Sequence, residues 1–242
     1  MSVTMMSAMT PATLWADTNV LAPKGLNKSI YLHINNFARH TEWAHGFMHT
    51  YALWLGAVLL AAIFVVTYGI VWWRRDHRVA ALMGLSGAGT LIALGLNQII
   101  GHWAKELRPY NSLHHVLVLV PKANDYAFPS DHAVVAGALI TCVVLVRQAL
   151  STSRRGGQFV STVTALSILS VVLGLFLCFA RVYVGAHYPG DVIAGLLLGS
   201  IVVIVVSLAR PIAYRIADAI APTAMGILIR RAPAVHGPAS QV

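Results

Sequence analysis

The stretch Phe128-Pro129-Ser130-Asp131-His132 leads straight into an apolar run over residues 133–146. Proline suits the first position of a helix, where its missing N–H costs nothing, so a helix starting at Pro129 is expected. The N–H groups of Ser130, Asp131 and His132 then point out of the helix start, where the backbone dipole favours an anion. With the Ser130 hydroxyl and the His132 ring beside it, the junction reads as an anion cradle with a proton donor at the mouth of an apolar helix.

The surroundings of that helix are a membrane. The 242 residues are 57% hydrophobic and 10% charged, with a mean hydropathy of +0.71, whereas a soluble domain carries about a quarter charged residues. Runs near twenty apolar residues recur, at about 50–73, 79–100, 132–150, 160–180 and 191–209. Each is long enough for a hydrocarbon core of about 30 Å. The expected fold is an all-α, polytopic bundle of five or six spans, the sixth depending on residues 28–47. The mixture of Ile30, Leu32, Ile34, Phe37 and Trp43 with His33, Asn35, Asn36 and Glu42 fits an amphipathic helix at the interface better than a span. Residues 1–27 read as a mobile tail, 28–210 as the membrane domain, and 211–242 as an interfacial helix with a disordered end.

A net charge of +9 does not point to nucleic acid, because the positive residues form short clusters beside the apolar runs. With five spans, Arg74, Arg75, Arg78, Arg147, Arg154, Arg155, Arg210, Arg215, Arg230 and Arg231 share one side, ten of the seventeen Lys and Arg residues. That side is cytoplasmic by the positive-inside rule. The opposite, extracytoplasmic side then collects Arg108, the 128–132 junction and the stretch Arg181-Val182-Tyr183-Val184-Gly185-Ala186-His187-Tyr188-Pro189-Gly190-Asp191. Cys142 and Cys178 lie inside apolar runs and read as small core residues. His33, His40, His45 and His49 read as interfacial histidines rather than zinc ligands.

The three outer stretches suit phosphoryl chemistry. Pro189 disfavours helical geometry at Tyr188 and suits a helix start, which puts His187 in a connection and Asp191 in the first turn of the last span. Asp191 is expected to accept a proton from one ring nitrogen of His187, leaving the other as nucleophile. His132 is the expected general acid and base. Arg108 and Arg181 neutralise the phosphate oxygens, and Ser130 donates a hydrogen bond. A phosphohistidine route of this kind calls for no cofactor and no metal, and no carboxylate cluster for Mg²⁺ is visible.

These residues resemble the three-part pattern of the type 2 phosphatidic acid phosphatase superfamily. Arg108-Pro109 is similar to its first part, Pro129-Ser130-x-His132 to its second, and Arg181-x5-His187-x3-Asp191 to its third. The resemblance implies a membrane lipid phosphatase. It adds Lys105 as a lesser phosphate ligand, since Gly101 stands where the family's lysine usually lies. Ala180 replaces a frequent serine and Asp131 the usual glycine. The Pro-Ser-Asp-His version is most similar to bacterial undecaprenyl-diphosphate phosphatases of the bacitracin-resistance type. That implies a polyprenyl diphosphate substrate at the outer leaflet of the plasma membrane. Phosphatidic acid, phosphatidylglycerol phosphate or lipid A are the alternative substrates, and a proton-coupled transporter is the alternative class. The expected partners are the lipid phosphate and the bilayer, with homo-oligomerisation left open.

Overall fold

The computed structural model describes residues 25–152 and 157–229. Five helical segments among them are long and apolar enough to cross a membrane: Glu42–Trp73, His77–Ser112, Asp131–Ser151, Phe159–Tyr183 and Pro189–Ser207. In chain order the α-helices among the described residues are α1 (Leu26–Arg39), α2 (His45–Thr50), α3 (Gly56–Trp73), α4 (His77–Ala104), α5 (Pro109–Ser112), α6 (Asp131–Ser151), α7 (Gly157–Tyr183), α8 (Pro189–Ser207) and α9 (Arg210–Ile229). The expected all-α polytopic bundle is what forms, with five spans.

α6 is the axis of the bundle. Its most apolar window is 56% buried, against 28–39% for the other four, and it packs on α3, α4, α7 and α8. The closest approach is to α8, through glycines. A Cβ on Gly199 would sit 2.1 Å from the Val134 carbonyl oxygen, and one on Gly137 equally close to that of Leu196. Between membrane helices, small residues permit such contact where lipid tails supply no hydrophobic drive.

Residues 28–47 do not form one interfacial helix. α1 is amphipathic, but it ends at Arg39, and a 3₁₀ turn at Glu42–Ala44 starts a helix that runs through α2 into α3. The break is held by Thr41, whose Oγ1 bonds the Phe37 carbonyl and the Tyr183 hydroxyl. Glu42 and Trp43 therefore begin the first span. Between α2 and α3 lies a wide π-helical turn, Tyr51–Leu55.

At the opposite end, Asp76 caps α4 by accepting from the Val79 N–H at 3.2 Å. Asp218 of α9 pairs with Arg78 at 2.8 and 2.9 Å and with His77 at 3.0 Å, which fastens the last helix to the start of α4. The expected mobile tail, residues 1–27, is helical at its end, since Leu26 and Asn27 open α1. Residues 1–24 and the expected disordered C-terminal end lie outside the described residues, as do Arg154, Arg155, Arg230 and Arg231.

Candidate active site

The second motif starts its helix later than its proline predicts. α6 begins at Asp131 with Ser130 as N-cap in extended geometry, and Pro129 lies before the cap after a cis peptide bond. The Ser130 N–H is not free; it donates to the Asp191 carbonyl at 3.1 Å. Ser130 has the β-region backbone of a cap residue, and its wholly buried hydroxyl has no hydrogen-bond partner among the described residues. The third motif folds as expected. Pro189 is the first residue of α8 and Tyr188 its extended N-cap, so His187 sits in the connection after α7.

Around His187 the outer motifs converge. Its ring is 2% exposed. Nδ1 lies 2.9 Å from the Ala127 carbonyl, and a carbonyl only accepts, so Nδ1 carries the proton and Nε2 the lone pair. That lone pair faces Arg181 Nη2 at 3.0 Å and Arg108 Nη1 at 3.1 Å. Burial and then the Arg181 and Arg108 charges push the imidazole well below its ordinary pKa, which keeps it neutral. A neutral buried imidazole flanked by two guanidinium groups has the chemistry that a nucleophile beside an oxyanion clamp requires.

Each arginine is anchored on its far side. Arg181 Nη1 donates to the Ala52 carbonyl at 3.3 Å, and its buried Nε has no partner among the described residues. Arg108 caps α5, with Pro109 as first residue. It donates to the Ala186 carbonyl at 3.1 Å through Nη1 and to Asp125 through Nε and Nη2, at 2.6 and 2.8 Å. His132 Nε2 lies 3.2 Å from the Leu53 carbonyl. The wide turn at Tyr51–Leu55 thus supplies one carbonyl to Arg181 and the next to His132. π-Helical turns are rare and concentrate at functional sites.

Asp191 differs from its expected part. Its Oδ2 is 3.5 Å from His187 Nδ1, but that oxygen accepts the Tyr188 N–H at 2.8 Å. The residue is the third of α8 and reaches back to cap the helix start, so the direct acceptor for His187 is the Ala127 carbonyl. Lys105 ends α4 in left-handed geometry with φ 50° and is exposed. Asp131 is exposed too, and its Oδ1 accepts from the amides of Asn97 and Gln98 at 2.5 and 3.0 Å.

Sequence reasoning missed Asp125, the Ala127 carbonyl and the carbonyls of Ala52 and Leu53. Backbone acceptors have no residue-type signature. Asp125 carries only the weak signal of a carboxylate in a long loop.

Two guanidinium groups around one neutral imidazole is an arrangement for phosphoryl groups, and here it is built into a membrane bundle. The chain belongs to the PAP2 superfamily, whose family model matches residues 82–215. It is 30% identical over 135 residues to an undecaprenyl-diphosphatase of Sulfolobus acidocaldarius, covering 56% of this chain and 57% of that protein. The chain therefore spans little more than half of that relative's length. It is 29% identical over 180 residues to undecaprenyl-diphosphatase BcrC of Bacillus subtilis, covering 73% of this chain and 80% of that protein. The fold is that of Aquifex aeolicus LpxE, with a TM-score of 0.53 at 23% identity over 77% of this chain and 98% of that one. It is equally that of a PAP2 type phosphatidylglycerolphosphate phosphatase from Bacillus subtilis, with a TM-score of 0.54 at 21% identity over 81% of this chain and 88% of that one.

Proposed function

We propose that this protein hydrolyses undecaprenyl diphosphate to the monophosphate and inorganic phosphate, at the outer face of a bacterial plasma membrane, with residues 28–210 as the catalytic domain. The observation that carries the chemistry is the pair of guanidinium nitrogens 3.0 and 3.1 Å from His187 Nε2. The substrate follows the names of the Sulfolobus and Bacillus relatives. The outer face follows the arginines at the ends of the spans remote from the site, Arg74, Arg75, Arg78, Arg147, Arg210 and Arg215.

In the resting site the His187 lone pair is occupied by arginine N–H groups. An arriving terminal phosphate takes those donors onto its oxygens and presents phosphorus to Nε2. Nε2 attacks, the N–P bond forms, and the P–O bond to the retained lipid phosphate breaks. His132 donates a proton to the departing oxygen. His132 then takes a proton from water, whose oxygen attacks phosphorus, and the N–P bond breaks to release phosphate and neutral His187. Arg108, Arg181 and the unpartnered Ser130 hydroxyl hold the equatorial oxygens. Asp191, which accepts the Tyr188 N–H beside Nδ1, holds the connection that carries the ring as its other nitrogen becomes bonded. Lys105, exposed at the rim, serves the approaching diphosphate by charge alone.

The test is phosphate release from undecaprenyl diphosphate by the purified protein in detergent with excess EDTA, beside His187→Ala. Release that survives chelation and disappears in the variant is expected. Release abolished by EDTA overturns the mechanism, and no release by the unaltered protein overturns the substrate.

A further inference from the structure

Residues 123–127 form a strap across the site. Tyr110, in α5, holds its start, its hydroxyl accepting the Ala123 N–H at 2.9 Å. Its far end is held by the Ala127 N–H, which donates to the Glu106 carbonyl at 2.8 Å, and by the Ala127 carbonyl, which takes the His187 Nδ1 proton. Between these points Asp125 grips Arg108 side-on, one carboxylate oxygen on Nε and the other on Nη2. That two-point geometry fixes the plane of the guanidinium as well as its position. Only Nη1 is left aimed at the Ala186 carbonyl and at His187 Nε2.

We infer that Asp125 is the positioning residue for Arg108, spending the arginine's side-on fork so that one nitrogen, Nη1, is presented to phosphate beside the nucleophile. The inference rests on the reading of Arg108 and His187 as the phosphate site. The Asp125 side chain is 56% exposed and that of Arg108 only 9%, so Asp125 is poorly placed to contribute core stability and well placed to aim its partner. A carboxylate next to a phosphate site opposes anion binding, because like charges repel. Its presence is understandable if it improves geometry at some expense of affinity. An arginine released from Asp125 would meet phosphate with its fork, binding as well or better, with phosphorus displaced from Nε2. Misplacement of a reacting group by about 1 Å costs on the order of 10²-fold in rate.

The experiment compares the full-length protein with Asp125→Asn, Asp125→Glu, Arg108→Ala and the Arg108→Ala/Asp125→Asn double variant. It measures phosphate release from undecaprenyl diphosphate and, separately, binding of inorganic phosphate by calorimetry. Asp125→Asn should lower kcat at least tenfold, leave KM within threefold or lower it, and bind inorganic phosphate as tightly as the parent or severalfold more tightly. Asp125→Glu should recover part of kcat. In the Arg108→Ala background Asp125→Asn should change neither quantity. A kcat within twofold of the parent, losses that multiply in the double variant, or weaker phosphate binding by Asp125→Asn overturns the inference. If the unaltered protein releases no phosphate from this lipid, the substrate reading fails alone. The calorimetric cycle then decides the inference, and a binding effect of Asp125→Asn that persists without Arg108 overturns it.

Discussion

The Ser130 N–H donates to the backbone carbonyl of Asp191 at 3.1 Å, so the helix starts that carry the second and third motifs are bonded to each other. Gly195, one turn into α8, makes this approach possible, since a Cβ there would lie 2.6 Å from the Ser130 carbonyl oxygen. The cap of one span and the start of the other, next to His187, are thereby joined through their backbones.

Gly199→Ala should destabilise the bundle by about 1–3 kcal/mol, the usual cost of forcing atoms into a packed contact. Here the new methyl meets the Val134 backbone rather than a side chain able to turn aside. Gly95→Ala, with open space at its Cβ, should be neutral or slightly stabilising, as alanine is the better helix former. Thermal unfolding in detergent distinguishes the two, and equal midpoints would refute the packing account.

Asn35 is buried in α1 and bonds both backbone groups of Leu117, accepting its N–H at 2.9 Å and donating to its carbonyl at 2.8 Å. Asn35→Leu leaves both without their side-chain partner, and because Leu117 is only half-buried the loss is about 1 kcal/mol for each bond. The loop that leads to the strap should then be cut faster by protease while the spans stay intact. Unchanged cleavage would show that α1 does not secure this loop.

The pH dependence follows from His187. Burial, Arg181 and Arg108 depress its pKa in the folded protein, while in the unfolded chain the ring takes a proton near 6.5. Below that pH the unfolded state binds more protons, so stability is fully present above about 6.5 and declines as pH falls. His187→Asn should lose less stability than the parent between pH 7.5 and 5.5. Arg181→Gln removes one depressing charge, so the acid limb of its kcat/KM profile should move to higher pH; a limb that stays in place would refute the coupling.

His132→Ala should lower release from the lipid by about 10²–10⁴-fold, the usual weight of a proton-transfer group. A substrate whose leaving group needs no proton, such as p-nitrophenyl phosphate, should lose much less in the first step, and phosphorylated protein should accumulate. Equal losses on both substrates would remove His132 from the leaving-group step.

The spans were legible because lipid imposes a simple demand: about twenty apolar residues per crossing, with every backbone group bonded inside its own helix. Proline placement was legible only in part. Pro189 starts α8, as its local sterics require. Pro129 instead precedes the cap, because Ser130 is drawn into an extended conformation and bonded to Asp191 on another helix.

The amino-acid sequence by itself determined the class of this protein. Hydropathy and charge clusters set the membrane bundle, and the motifs that hold Arg108, Ser130, His132, Arg181, His187 and Asp191 pointed to the PAP2 superfamily. Only the tertiary structure decided which atoms meet. It turned Asp191 to its own helix start, gave the His187 proton to the Ala127 carbonyl, and brought Ala52, Leu53 and Asp125 to the three residues they hold. The physical reason is that backbone acceptors are alike at every position, and their partners are chosen by packing between segments far apart in the chain.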